Sequence, residues 1–135
     1  MKYKLRPLYD DGPAFNIYAL VRDGACDVEE FLAEVESLDP DEADKVLALL
    51  ERSARHGPPR NKEKSRCVGG KIFEFKTKSA RICYFYDAGK MIICANGFYK
   101  PQPKVQDQQI KEAKARYEAY LIAKTNGQIE IESKQ

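Results

Sequence analysis

The chain has 135 residues and a mass of 15.4 kDa, a length typical of one domain, and we predict a single domain over residues 1–135. Apolar residues make up 43% and charged residues 33% of the chain, which excludes a disordered protein and indicates a hydrophobic core beneath an ionic surface. No apolar run reaches the length of a membrane span, and the basic N-terminus lacks the apolar region of a secretory signal, so we expect a cytoplasmic protein without a membrane partner.

The net charge of +2 hides an uneven distribution along the chain. Residues 1–51 carry five basic and thirteen acidic side chains, a net of −8, whereas residues 52–104 carry thirteen basic and three acidic ones, a net of +10. A basic segment of this kind is typical of a surface that binds a polyanion, but it also fits a solvated lysine-rich face that pairs with the acidic helices of the same molecule. Charge alone leaves both interpretations open.

The N-terminal part of the chain predicts a strand and then a helix. Residues 1–13 are interrupted by prolines and a glycine, so we expect an irregular or edge segment at the periphery there, and the β-forming run at residues 15–21 predicts the first core strand. Asp27 and Glu30 form a capping-box pattern ahead of apolar residues at helical spacing, which predicts an amphipathic helix over residues 28–37.

A second helix is predicted immediately after the first. Asp39 suits its N-cap, Pro40 suits its first position, and Gly57 follows its last residue, so we expect it to span residues 40–56. The acidic part of the chain therefore predicts a helical hairpin.

The basic part of the chain predicts a loop followed by three strands. Residues 60–70 are polar and end in two glycines, which is typical of a loop. Runs at residues 71–78, 81–86 and 90–95 have the composition of strands, and the glycine-containing turn at residues 87–89 predicts a hairpin between the last two.

The C-terminal part predicts a connector at residues 96–103, a third helix over residues 104–124 and a loose, peripheral tail over residues 126–135. The resulting element order predicts an α+β fold, in which an antiparallel sheet carries the helices on one face, with a core of about residues 15–124.

The cysteines and the single histidine do not have the spacing of a metal site. No two cysteines form a C-x-x-C pair, whereas a structural zinc site normally shows two close ligand pairs. We therefore predict no metal, no cofactor and reduced, buried thiols rather than disulfides. The residues concerned are Cys26, Cys67, Cys83, Cys94 and His56.

The candidate functional residues are cations with aromatic side chains between them. The chain contains no glycine-rich phosphate loop, no G-x-S-x-G or H-E-x-x-H motif and no pair of carboxylates within its strands. Cations and aromatic rings on one exposed sheet face are typical of proteins that bind single-stranded nucleic acid, although some of these rings are expected in the core. The aromatic residues are Tyr84, Tyr86, Phe98 and Tyr99.

Two consecutive segments resemble the core strands of a known toxin superfamily. The sequence KIFEFKTKSARICYFYD at residues 71–87 and the sequence GKMIICANGFYKP at residues 89–101 resemble the paired strands of the RelE/ParE superfamily, in the HigB-like, phage-derived branch. The DVEEFL segment at residues 27–32, with the helix after it, matches the helical hairpin of that branch. The resemblance covers about residues 15–124 and implies a RelE-like antiparallel sheet with a C-terminal helix packed on it.

The resemblance implies a toxin of a type II toxin–antitoxin system. In the RelE and HigB-like members, the activity is ribosome-dependent cleavage of mRNA without a metal, in which a ribose 2′-oxygen attacks the adjacent phosphate and cations stabilise the developing charge. The implied partners are the ribosome, mRNA and a cognate antitoxin, expected to be a small helix-turn-helix repressor. The implied enzyme is an mRNA interferase, an endoribonuclease.

The resemblance also implies roles for particular residues. Arg81 matches the family's strand arginine and is the expected transition-state cation, and Lys76 is a second phosphate contact; both are expected at exposed strand positions. Asn96 falls where the HigB-like branch usually has histidine. Tyr99 and Lys100 complete the expected catalytic set, and the expected RNA contacts are Arg60, Lys62, Lys64, Arg66, Lys78 and Lys104.

Two alternatives to the mRNA interferase share the same fold. The first is a ParE-like inhibitor of DNA gyrase, which cleaves no RNA. The second is a non-catalytic RelE-fold binding protein, for which Asn96 in the usual histidine position is the motivating feature.

Overall fold

A computed structural model describes residues 2–100 and 102–133 of the chain. The elements in chain order are β1 (Tyr3–Tyr9), β2 (Asn16–Arg22), α1 (Asp27–Leu38), α2 (Pro40–His56), β3 (Ser65–Gly69), β4 (Ile72–Lys76), β5 (Ala80–Asp87), β6 (Met91–Tyr99), α3 (Pro103–Thr125) and β7 (Ile129–Ile131). The α+β fold class is confirmed. Over the described ranges, none of the helices combines the length and the apolar character needed to span a bilayer.

The seven strands form one mixed sheet in the order β3-β4-β5-β6-β2-β1-β7. Four of the neighbouring pairs are antiparallel, as expected, but β2 pairs with β6 and β1 pairs with β7 in parallel. The α1–α2 hairpin carries the chain from β2 to the far edge of the sheet at β3. From β3 to β6 the chain reverses direction three times, and β6 then lies beside β2 and runs in the same direction. This crossover excludes a purely antiparallel sheet.

Helices cover both faces of the sheet, and the prediction of helices on one face is wrong. On one face, strand residues such as Ile17 and Phe75 pack with α1 and α2, and on the other, residues such as Leu20 and Phe85 pack with Tyr120 of α3. Because side chains alternate between the two faces of a strand, β2 is buried on both sides. The cations of the middle segment therefore lack the open sheet face that was expected for them.

The helix boundaries follow their local signals closely. The Asp39 side chain accepts a hydrogen bond of 3.2 Å from the Glu42 backbone at the start of α2, with Pro40 in the first turn, and Gly57 ends that helix at a φ of 85°. The N-cap of α1 is Cys26 rather than Asp27. Asp27 lies one position further in, where its carboxylate pairs with Arg116 of α3 at 2.5 Å.

Three segments outside the predicted core strands contribute strands to the sheet, of which β3 and β7 are its edges and β1 lies between β2 and β7. Residues 1–13 contain β1, the predicted loop at residues 60–70 contains β3, and the C-terminal tail contains β7. The register between β1 and β2 shifts after Pro7. This irregularity accommodates the backbone N–H donor that proline lacks.

The C-terminal tail is held by charged contacts. Arg6 of β1 donates to both carboxylate oxygens of Glu132, at 2.6 and 3.2 Å, and also to Glu29 of α1 at 2.9 Å. The last tail positions, residues 134–135, lie outside the described residues.

The predicted connector after residue 95 is also partly a strand, because β6 continues to Tyr99. Its register shifts in the middle: Tyr84 of β5 lies opposite Cys94, whereas Cys83 lies opposite Asn96. Ala95 is therefore the extra residue of a β-bulge. A bulge of this kind changes the direction of the neighbouring side chain, and here it directs Asn96 towards α3.

Candidate functional site

A cavity of about 760 Å³ lies between α2 and the edge of the sheet at β3 and β4. Six cations line it and no acidic residue does. None of the six forms an ion pair with any residue in the described ranges 2–100 and 102–133. We call this surface the basic groove; its cations are Lys45, Arg52, Arg60, Lys64, Lys76 and Lys78.

The chain positions the groove cations from three elements. Lys45 and Arg52 are two turns apart on the exposed side of α2. The loop between α2 and β3 is held by Asn61, whose side chain accepts from the Glu63 backbone at 2.9 Å and whose carbonyl accepts from Lys64 and Ser65. This turn presents Arg60 and Lys64 to the groove. The last two cations are Lys76, at the end of β4, and Lys78, in the short connection between β4 and β5.

A buried carboxylate fastens the β4–β5 connection to α2. Glu42 accepts hydrogen bonds from the Thr77 hydroxyl at 2.8 Å and from the Ser79 backbone and hydroxyl at 2.6 and 2.8 Å. Burial alone would raise the pKa of Glu42, but these hydrogen bonds bring it below its ordinary value. Glu42 therefore holds the two walls of the basic groove in place.

Behind the groove, on the α3 face of the sheet, lies a second group of charges that we call the buried ion cluster: Arg66, Glu74 and Arg81. Glu74 and Arg81 are buried, whereas the Arg66 side chain is 41% exposed. The Glu74 side chain is completely buried. Its Oε2 atom accepts a hydrogen bond from Arg66 Nε at 3.1 Å. Its Oε1 atom accepts one from the Gln106 side chain at 3.3 Å and lies 3.6 Å from Arg81 Nε.

Arg81 is buried rather than exposed, contrary to the prediction. Only 8% of its side chain is accessible, and its guanidinium donates to the carbonyl oxygens of Thr77 and Ala80 at 2.7 and 2.9 Å. The buried carboxylate of Glu74, on the same face of the adjacent strand, attracts it inwards. In this conformation the Nη1 group of Arg81 is used by two backbone carbonyls, and its Nε atom faces Glu74.

Lys76 lies between the buried ion cluster and the basic groove. It pairs directly with Arg81 across β4 and β5, it lines the groove, and its side chain is half-buried. Burial lowers the pKa of Lys76, and the positive charges of Arg66 and Arg81 lower it further. A lysine with a lowered pKa releases a proton more easily than an ordinary lysine, so this position suits proton transfer as well as phosphate contact.

The other predicted catalytic residues do not join the groove. Asn96 is 2% exposed, and its amide nitrogen donates to the backbone and side-chain oxygens of Gln109 at 3.2 and 3.0 Å. The ring of Tyr99 packs edge-on against Phe31 of α1, with 5.0 Å between ring centroids. Lys100 is exposed and donates through its backbone to Ser79 at 2.7 Å.

Of the predicted RNA contacts, the structure brings Arg60, Lys64 and Lys78 into the basic groove. Lys62 and Lys104 are exposed outside its lining, and Arg66 belongs to the buried ion cluster. Sequence analysis missed Lys45 and Arg52, because both lie in a helix assigned to the acidic part of the chain or at its boundary. Their spacing of seven residues on one helix face was the available signal.

The cysteines and acidic residues do not gather into a metal site in the part of the chain that the structure describes. No group of three or more His, Cys, Asp or Glu side chains is arranged there to hold a metal ion. The cysteines are free thiols, of which Cys26, Cys83 and Cys94 are buried, as expected, whereas Cys67 is exposed.

Comparison with known proteins gives one family match. Residues 33–118, from the second half of α1 to α3, match the family model described as "Phage derived protein Gp49-like (DUF891)". The matched range contains both the basic groove and the buried ion cluster. No curated protein matches the chain.

Proposed function

The chain belongs to the phage-derived Gp49-like family, a toxin–antitoxin-related family of RelE-like toxins, and from this membership we propose that it is a HigB-like toxin that cleaves mRNA on the ribosome. In this proposal residues 1–135 act as one RelE-like toxin domain in the cytoplasm. Its partners are the ribosome, mRNA and a cognate antitoxin, which we expect to be a small helix-turn-helix repressor.

The basic groove is the observation that carries the proposal. Six cations face one cavity without an acidic partner, and unpaired cations of this density attract the phosphates of a nucleic-acid backbone. The alternative from sequence was a basic face neutralised by the acidic helices of the same molecule. The ion pairs of the described residues involve cations outside the groove instead: Arg66 pairs with Glu74 of β4, and Arg116 pairs with Asp27 of α1.

We propose that Lys76 is the principal catalytic group, in place of Arg81. In the proposed reaction the ribose 2′-oxygen attacks the neighbouring phosphorus, a cyclic 2′,3′-phosphate forms, and the bond to the 5′-oxygen of the next nucleotide breaks. The 2′-hydroxyl loses its proton and the departing 5′-oxygen gains one. Lys76 suits these roles because it lines the basic groove, where its charge can meet the phosphate, and because its pKa is lower than that of an ordinary lysine.

Arg81 supports this site indirectly in the proposal. Its guanidinium fixes Glu74 and the end of β4, and its positive charge contributes to the lowered pKa of Lys76. The catalytic roles expected for Asn96, Tyr99 and Lys100 stay predictions.

The proposal is tested by Lys76→Met with Lys111→Met as the matched control, since Lys111 is an exposed lysine on α3 outside the groove. In a reconstituted translation reaction followed by primer extension, wild type and the Lys111 variant should cut ribosome-bound mRNA. The Lys76 variant should cut about 10²-fold more slowly or worse, because general acid–base catalysis contributes at least that much. Thermal unfolding of both variants verifies that they fold.

A wild-type protein that cuts no mRNA would contradict the proposal. Inhibition of DNA supercoiling by gyrase in a parallel assay would then support the ParE-like alternative. Absence of both activities would support the non-catalytic binding protein, which the inward-facing donors of Arg81 and the buried amide of Asn96 favour.

A further inference from the structure

A group of aromatic side chains lies partly uncovered on the α2 face of the sheet, at the point where α2 ends. Tyr86 of β5 is 37% exposed, and both Phe73 of β4 and Phe15, which precedes β2, are half-buried. The Tyr86 ring lies 5.1 Å from the Phe73 ring and 5.5 Å from the Phe15 ring, measured between centroids. Gly57 ends α2 beside the Phe15 ring, so the helix does not continue over these three residues. We call them the aromatic platform.

A stack of rings connects the aromatic platform with the basic groove. Phe75, Tyr84 and Phe73 lie one on another, with centroid separations of 4.0 and 5.6 Å and ring planes inclined by 19° and 25°. Phe75 and Tyr84 are buried, so the stack reaches the surface at its Phe73 end. Lys76 of the groove follows Phe75 directly in β4, and an extended strand spans about 10 Å from Phe73 to Lys76. One strand of RNA can therefore contact both the groove and the platform.

The structure singles out Tyr86 among the aromatic residues that the sequence indicated. Tyr84 and Phe98 are buried. Tyr99 is as exposed as Tyr86, but it packs against Phe31 of α1 and lies outside the groove lining. Of the aromatic rings in the described ranges, Tyr86 is thus the well-exposed one that a ring stack joins to the groove.

We infer that the aromatic platform stacks a nucleobase of the single-stranded RNA whose phosphates lie in the basic groove. Aromatic rings offer a flat surface to an unpaired base, whereas cations alone hold only the backbone. The cations of the adjacent groove favour a polyanion over an apolar protein segment as the occupant. The inference deepens the proposed function and rests on the part of it that places RNA in the basic groove.

The aromatic platform is a specificity element rather than a catalytic one. Because Phe73 lies about 10 Å from Lys76, the stacked base belongs to a nucleotide close to the phosphate that Lys76 contacts. Purines present a larger flat surface than pyrimidines, and sequence preferences of this kind follow stacking strength. The bound RNA should therefore favour a purine over a pyrimidine at this position.

The probe for the first experiment is an oligouridine RNA of about six nucleotides with a single 2-aminopurine, a fluorescent base whose emission falls when it stacks. Titration with the full chain should quench that emission. The same RNA with an abasic site in place of the 2-aminopurine should bind about fivefold more weakly or worse, because a base stacked on a ring contributes at least that much. Equal binding of the two RNAs, or binding without quenching, would overturn the inference.

The matched variants are Tyr86→Leu, which keeps an apolar side chain without the ring, and Tyr86→Phe, which keeps the ring. The leucine variant should bind the 2-aminopurine RNA about fivefold more weakly or worse and should not quench it. The phenylalanine variant should bind and quench as wild type does, and all three proteins should bind the abasic RNA equally. If both variants bound the 2-aminopurine RNA as wild type does, the inference would be overturned and the platform would be left to a protein partner.

Leu121→Ala provides a control outside the site, because Leu121 is 38% exposed on α3 and absent from the groove lining. This variant should bind and quench the RNA as wild type does. A loss equal to that of the Tyr86 leucine variant would contradict the assignment of the platform. Thermal unfolding of each variant verifies that it folds.

The mRNA cleavage assay keeps this inference separate from the proposed function, since the binding experiments contain no ribosome. If wild type cuts no mRNA but still quenches the 2-aminopurine RNA through Tyr86, cleavage fails as the proposed function and the stacking site stands. If wild type cuts ribosome-bound mRNA but the leucine variant binds and quenches the probe as wild type does, the proposed function stands and the stacking site is overturned.

Discussion

The basic groove and the buried ion cluster both contain arginine residues and adjoin each other at Lys76, yet the surroundings of their charges differ. In the cluster, the fully buried Glu74 gathers Arg66 and Arg81 and directs their donors inwards. In the groove, no acidic residue of the described ranges contributes to the lining, and none of the six cations forms an ion pair there. The comparison indicates that the buried carboxylate of Glu74 holds the two arginines beside it in contacts within the protein, whereas the groove cations have no such partner among the described residues.

The largest expected effect separates the two regions by stability. Arg81→Ala removes one partner of a buried carboxylate and two donors from backbone carbonyls, so it should lower the free energy of unfolding by about 3 kcal/mol. Lys64→Ala, in the groove, should change it by less than about 0.5 kcal/mol. Urea unfolding at neutral pH measures both. Equal losses would mean that Arg81 is not structurally different from the groove cations.

A smaller effect concerns the carboxylate that anchors the groove. Glu42→Gln replaces charged acceptors with a neutral amide and should cost about 1–2 kcal/mol at pH 7. Because the pKa of Glu42 is lower in the folded protein than in the unfolded one, its stabilisation is present above about pH 4.3 and is lost as the pH falls through the folded value. Unfolding free energies at a series of pH values measure this, and the Glu42 variant should lose less stability than wild type below about pH 4.

The exposed glutamate Glu36 provides the control for that series. Glu36→Gln should change the stability at pH 7 by less than about 0.5 kcal/mol, because the side chain is exposed and has no partner among the described residues. A Glu42 variant whose acid profile coincided with that of wild type would show that the hydrogen bonds to Thr77 and Ser79 do not favour the charged form.

The smallest expected effect concerns the affinity of the basic groove for single-stranded RNA. Replacing Lys45 and Arg52 together by glutamine removes two phosphate contacts and should weaken the binding of a single-stranded RNA about five- to tenfold at 100 mM salt. The slope of log affinity against log salt should fall by about 1.4, since each contact contributes about 0.7 with a single strand.

Lys90 and Lys111, both exposed and outside the groove lining, provide the matched control. Replacing these two by glutamine lowers the net charge equally but should leave the salt slope close to that of wild type. If both double variants changed the slope by the same amount, RNA binding would depend on net charge rather than on the groove. Fluorescence anisotropy over a range of salt concentrations gives the slope.

The helices and the central strands were predictable because their signals are local. Asp39, Pro40 and Gly57 define α2 within the sequence itself, and the observed helix begins and ends where those residues indicate. The strands β1, β3 and β7 were not assigned as core strands, because each is a short strand of three to seven residues that is defined by its pairing more than by its composition. For β7 the partner is β1, at the other end of the chain.

The candidate site was only partly predictable for a related reason. The cations of residues 60–78 were identified from charge, but the burial of Arg81 depends on Glu74, whose own burial depends on α3 covering that face of the sheet. Asn96 was expected in a connector, and its position facing α3 depends on a bulge at Ala95 that the sequence does not mark. In both cases a contact between distant elements overrides the local pattern.

The parallel pairing of β1 with β7 has a mechanical consequence. Tyr3 lies opposite Ile129 and Leu5 opposite Ile131, so handles attached at residues 2 and 133 would pull the two strands along their axes in opposite directions. That is a shearing geometry, in which the hydrogen bonds of the pair and the Arg6–Glu132 contact bear the load together rather than opening one by one. Under tension the molecule should therefore yield first at this edge, on the side of the sheet away from the basic groove.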